Sequence, residues 1–305
     1  MGTEVCPRSA VILQALLPEM TPATLSLVIV AAFIHAAWNI LLKRVRGGLS
    51  FFWLVDVLQG FVFAPWIAWV VWSERPRLGW AEWTCIVGSA VIHIAYYLFL
   101  QRGYRIGDIS LVYPIARGSG PMLSSIVAVL FLGERPGIVG ILGIIAIGVG
   151  IFLLTGGLPS NAHPKTRAAV IAGLFTGASI ATYTIWDKYA VSVVHVSPIL
   201  LDLLANPIQA LFLTPLVWNR RAELSIFWRR RRPELFGVTI LNPISYILIL
   251  VAMTVAPVSQ IAPVREISTL IGAAIGGRLF GEQHLRNRLA AASIIVLGVV
   301  AVAHG

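Results

Sequence analysis

The chain has 305 residues, 58% of them hydrophobic and only 12% charged, with a mean hydropathy of +0.85, which excludes a water-soluble globule. The net charge of +10 sits in short connectors between apolar runs rather than along one face, so nucleic acid is not an expected partner. Cys6 and Cys85 have neither metal-ligand spacing nor a disulfide framework, and no metal or cofactor is expected.

Residues 1–22 read as an N-terminal leader, expected to be poorly ordered. Its apolar run from Ala10 to Leu17 is too short to span a membrane and no cleavage site follows it, while Met20-Thr21-Pro22 opens the first good span and could be an internal start. Apolar runs of about 20 residues, enough to cross roughly 30 Å of hydrocarbon, then recur at about 23–42, 50–72, 82–101, 109–132, 137–155, 168–187, 197–218, 235–255, 258–280 and 289–304. The expected fold is an all-α membrane protein of ten transmembrane helices in a lipid bilayer.

The second half repeats the first. Trp38, Asn39 and Lys43 align with Tyr183, Thr184 and Lys188; Asp56 aligns with Asp202; Gly88, His93 and Tyr97 align with Gly237, Asn242 and Tyr246. Ser110 and Pro114 align with Ser259 and Pro263, Gly133-Glu134 with Gly281-Glu282, and Gly150 with Gly298, at offsets that drift only from 145 to 149. Two five-helix repeats follow, 23–155 and 168–305, joined by a connector at 156–167. Five is odd, so the second repeat is threaded the opposite way, and inverted repeats place a site at the interface of the halves.

The stretch from Tyr113 to Pro121 sets Arg117 inside an apolar span, and its counterpart Pro263-Val264-Arg265-Glu266 puts Glu266 where Arg117 stood. An arginine at mid-membrane costs roughly 2.5–3.5 kcal/mol on insertion scales and normally faces a partner or a wet cavity. Arg117 and Glu266 are expected to pair. Either Arg117 and Arg265 offer guanidinium forks to a carboxylate or phosphonate while Glu266 holds one of them in reserve, or the pair is permanent and only neutralises charge.

Two inverted halves, each with a Pro-containing fourth helix, a Gly-Glu turn and a Gly-containing last helix, together with His35-Ala-Ala-Trp38-Asn39 and Lys43, resemble the drug/metabolite transporter superfamily in its EamA-like ten-helix branch. The resemblance covers residues 23–304. It implies a carrier that moves small metabolites by alternating access, often exporting amino acids or related compounds, with some relatives handling phosphorylated sugars and one similar branch associated with phosphonate use.

Further candidates share that centre. His35, Trp38 and Asn39 lie on one helix face and either line the cavity or make an interhelical His–Asn bond; His93 and Tyr97, with Tyr246, are cavity-wall candidates. Pro114 and Pro263 read as hinges, and Pro207 and Pro243 as breaks or as ordinary membrane prolines. Asp56, Asp202 and Glu266 are proton-coupling candidates, although carboxylates near span ends also simply reach water. Glu134 and Glu282 are expected to cap the helix that follows each.

Fifteen Lys and Arg fall on the odd connectors and five on the other side, which places both termini outside the cytoplasm of an inner membrane. The expected function is export of a small polar metabolite, an amino acid, phosphonate or other anionic or zwitterionic compound, with a homodimer left open. A scaffold or assembly subunit without transport is the alternative. An intramembrane enzyme is disfavoured, because Ser119 lacks a rhomboid-type context and no zinc or aspartyl-protease motif is present.

Overall fold

The computed structural model describes residues 20–45, 48–106, 109–154 and 164–268, with 271, 290, 293–295, 297, 298, 300 and 301 beyond. The leader, the Gly281-Glu282 turn, half of the expected tenth span and the side chain of Pro114 lie outside the described residues. The helices are α1 (Pro22–Val45), α2 (Leu49–Val62), α3 (Ala64–Glu74), α4 (Trp80–Ile106), α5 (Ile109–Phe131) and α6 (Ile138–Leu154), then α7 (Pro164–Ser192), α8 (Pro198–Val217), α9 (Arg221–Arg230), α10 (Arg232–Val255) and α11 (Val258–Arg265). No strand occurs among the described residues.

Local chemistry sets these boundaries. Pro22 occupies the first turn of α1, where its missing N–H costs nothing, and Thr21 Oγ1 accepts from Thr24 N at 3.2 Å as the cap. Among the described residues, five helices are long and apolar enough to cross a membrane, α1, α4, α7, α8 and α10, and α2 with α3 forms a sixth candidate bent by 49°. The expected second span is therefore broken. Pro65 enters the first turn of α3, cannot donate to a carbonyl of α2, and the helix turns at Phe63. In contrast, α8 continues through Pro207 and α10 through Pro243, so neither proline breaks its helix.

Two further boundaries differ from expectation. The sixth span was expected to stop at residue 187, yet α7 runs to Ser192. Lys188 Nζ donates to Met253 O at 2.6 Å and Ala256 O at 2.9 Å, and Ser192 Oγ to Met253 O at 2.9 Å. These donors meet the orphan carbonyls at the end of α10, so Lys188 serves a helix end instead of a free connector. The basic connector after α8 forms a helix of its own, α9, seated on the start of α2 by the Ser50 Oγ to Glu223 hydrogen bond (2.5 Å) and the Phe51–Phe227 ring contact (5.3 Å).

Packing alternates in direction. Trp186 Nε1 reaches Cys85 O at 2.9 Å and Phe99 stacks on Phe175, so α4 and α7 are antiparallel; Leu41 meets Gly237 and Trp38 meets Ser245, so α1 and α10 are antiparallel too. The α5 and α7 helices run parallel, packed through Gly120 against Ile180 and Gly177 against Ser119. Glycine is needed at Gly177 because a Cβ there would overlap the Ser119 hydroxyl. Outward faces carry Phe33, Phe61, Leu130 and Leu211, and exposed tryptophans stand at the ends: Trp72 and Trp80 by one connector, Trp218 and Trp228 by α9. That is the distribution of a lipid-facing surface with interfacial aromatics.

Candidate functional site

Where α5 and α11 cross, three charged side chains meet in the interior. Arg117 Nη1 lies 3.6 Å from Glu266 Oε1, and Arg265 Nε lies 4.0 Å from the same oxygen. Arg117 Nη2 donates to His35 Nε2 of α1 at 3.1 Å. Arg117 is 5% exposed, Arg265 3% and Glu266 0%. The expected pairing is present, and it is a shared arrangement: one carboxylate between two guanidinium groups, with His35 holding the first.

The backbone makes room for it. Helix α11 ends at Arg265, Glu266 lies in a turn whose N–H returns to Pro263 O at 3.0 Å, and helix resumes at Ile267. Pro263 lies inside α11, where its missing N–H leaves the Ser259 carbonyl without a helical partner, and the break at Glu266 follows three residues later. Nonhelical backbone at membrane depth is tolerated where protein covers it.

Glu134 also departs from expectation. Gly133, at φ 69°, takes the left-handed conformation that ends α5, and Glu134 N–H returns to Ala128 O at 3.3 Å. The carboxylate then points across the molecule, not into α6. Its two oxygens accept from Val258 N and Ser259 N, both at 2.8 Å, and so cap the N-terminus of α11. Ordinary cap logic was right in chemistry and wrong in helix.

Beside the arginines, α4, α7 and α10 contribute a group of rings. His93 stacks on Tyr183 with centroids 4.2 Å apart and meets Tyr246 edge-on at 5.5 Å; Tyr96 meets Tyr183 at 5.8 Å. Tyr246 OH donates to Asp187 Oδ2 at 2.5 Å. Asp187 is 0% exposed, and sequence reasoning missed it. Arg265 stands close enough to interact electrostatically with Asp187, Tyr183, Tyr246 and His93, which joins the ring group to the charged crossing.

The remaining candidates are placed as follows. Trp38 is buried, donates from Nε1 to Ser245 Oγ at 3.2 Å and meets the His35 ring edge-on at 4.7 Å. Asn39 donates to His35 O of its own helix at 2.8 Å, so the described His–Asn bond is intrahelical. Tyr97 packs on Phe52 at 4.5 Å, on the side of Asp56. Asp56 and Asp202 face the α2–α8 seam, where Asn206 Nδ2 donates to Asp202 Oδ2 at 3.5 Å and Gln209 Nε2 to Asn206 Oδ1 at 3.3 Å. Both aspartates are buried; neither reaches water at a helix end.

Fold and site together define a multi-pass, all-helical membrane protein with a charged centre. Residues 23–156 match the model of the EamA-like transporter family, in agreement with the resemblance that the motifs carry. Members of that family are transporters, which points away from enzymatic activity. No curated protein matches the chain. A solved structure described only as the crystal structure of a protein is similar at a TM-score of 0.71 and 14% identity, covering 92% of this chain and 98% of its own. That likeness concerns the fold.

Proposed function

We propose that the protein is a secondary transporter of the inner membrane, with ten helices in two inverted halves, that exports a small polar metabolite bearing an anionic group by alternating access. The observation that carries this reading is the crossing of α5 and α11, where Arg117 and Arg265 share the single carboxylate of Glu266. Two guanidinium groups and one carboxylate leave an excess of positive charge at the crossing itself, which suits an anionic group of a ligand. A carboxylate or phosphonate of the substrate supplies the counterion, and Glu266 holds the second arginine while the site is empty.

Reciprocal packing supports the inverted halves. A Cβ on Gly88 would lie 2.5 Å from Trp186, and one on Gly237 would lie 2.5 Å from Leu41. Leu41 and Trp186 are 145 residues apart and the two glycines 149, so each half inserts the corresponding side chain against the corresponding glycine of the other. The helix pairings obey the same exchange: α1 with α10 mirrors α7 with α4, α5 with α7 mirrors α11 with α1, and α4 with α8 mirrors α10 with α2. Arg117, Arg265 and Glu266 are buried, as an alternating-access cycle requires of a site in its closed state. Rocking of one half against the other opens them alternately, with Asp56 and Asp202 at the α2–α8 seam serving as proton carriers.

The test is a thermal-shift screen of purified protein against amino acids, phosphonates and sugar phosphates, repeated with Arg117→Ala. A stabilising ligand that the variant no longer recognises is the expected result. A ligand bound equally by both proteins places the site elsewhere.

A further inference from the structure

At one side of the charged centre, Asp187 and Arg265 are each buried and each incompletely satisfied. Asp187 Oδ2 takes the Tyr246 hydroxyl and Ser89 approaches the carboxyl as a second hydrogen-bonding neighbour, which leaves Oδ1 with acceptor capacity unused. Arg265 Nε and Nη2 make no hydrogen bond either. A vacant acceptor and two vacant donors thus occupy one interior without satisfying one another, which is expensive unless a ligand completes both.

Charge gives the same answer. The α5–α11 crossing has one positive charge in excess, and Asp187, with no Lys or Arg hydrogen-bonded to it among the described residues, restores neutrality to the centre as a whole. The ligand that fits is itself neutral overall, with separated ends. Around Asp187 the rings of His93, Tyr183 and Tyr246 lie within 4.2–6.2 Å of one another, and tyrosine faces next to a carboxylate are suited to a cationic nitrogen.

We infer that the site takes a zwitterion: its anionic group between Arg117 and Arg265, and its ammonium group on Asp187 Oδ1 against the Tyr183 and Tyr246 rings. This rests on the transporter reading given above and adds a required positive charge to its substrate, with Asp187 as the residue that selects for it.

Matched probes test it with the full chain in lipid nanodiscs: alanine against propionate, and 2-aminoethylphosphonate against ethylphosphonate. In the unaltered protein the amine-bearing member of at least one pair should bind tenfold or more tighter than its partner. Asp187→Asn should bring that ratio within threefold of one while leaving the affinity for the amine-free member within threefold, and Asp187→Glu should keep a preference for the amine. Arg265→Ala should weaken both members alike. Equal binding of both members by the unaltered protein overturns the inference even if no variant folds, as does a ratio unchanged in Asp187→Asn. If amine-free anions bind as well as amines and Arg265→Ala abolishes both, the anion site stands and only the zwitterion fails. If no probe binds, or Arg265→Ala changes nothing, the anion site fails as well.

Discussion

Glu134 shows how much one side chain can do here. Its two oxygens hold the first two N–H groups of α11, a charge-assisted cap that ties the end of α5 to the helix carrying Arg265. Glu134→Ala should cost about 1–2 kcal/mol by the usual loss for a removed cap, read as a lower unfolding temperature, with faster amide exchange confined to the first turn of α11. Glu134→Gln, which keeps one acceptor, should fall between; an unchanged exchange rate at Val258 and Ser259 in Glu134→Ala would contradict the cap. A cap of this sort was legible from Gly133-Glu134 as chemistry, but its partner lies 124 residues away, and nothing local points there. Asp187 was hidden for another reason. Trp186-Asp187-Lys188 reads like a span end at an interface, and only the turn of Lys188 onto the carbonyls of α10 lets α7 carry the carboxylate inside.

Among elements, the α1–α10 and α4–α7 contacts make an asymmetric forecast. Gly88 faces the rigid indole of Trp186, whereas Gly237 faces only the end of Leu41. Gly88→Ala should therefore cost about 1–3 kcal/mol, the usual range for overpacking, and Gly237→Ala distinctly less, since a leucine methyl can turn aside. Combining Gly88→Ala with Trp186→Leu should recover most of the loss in unfolding temperature; equal costs at the two glycines would refute the contact geometry. Span positions were readable from apolar length alone, because bilayer thickness dictates it. The bend at Phe63 was not, since Pro65 falls inside a run whose hydropathy never drops, and α9 was not, since its helicity depends on Glu223 and Phe227 finding Ser50 and Phe51.

For the whole molecule, the proposed threading puts the α9 side in the cytoplasm. A phosphatase fusion after Gly305 should be active and a cytoplasm-dependent reporter silent; the reverse pattern overturns the orientation. The charged centre was legible as a pair of unlikely residues at matched places, Arg117 and Glu266, because intramembrane charge is rare enough to stand out. How the rings of α4, α7 and α10 gather beside it could not be read, since Tyr183, His93 and Tyr246 meet only after three distant helices pack. The most direct measurement is solute counterflow in proteoliposomes for Arg117→Glu, Glu266→Arg and the double exchange, each paired with its unfolding temperature. Both single changes and the double change should abolish transport, while the double regains stability lost in the singles; transport restored by the double exchange would show that the pair is a structural bond and not a substrate site.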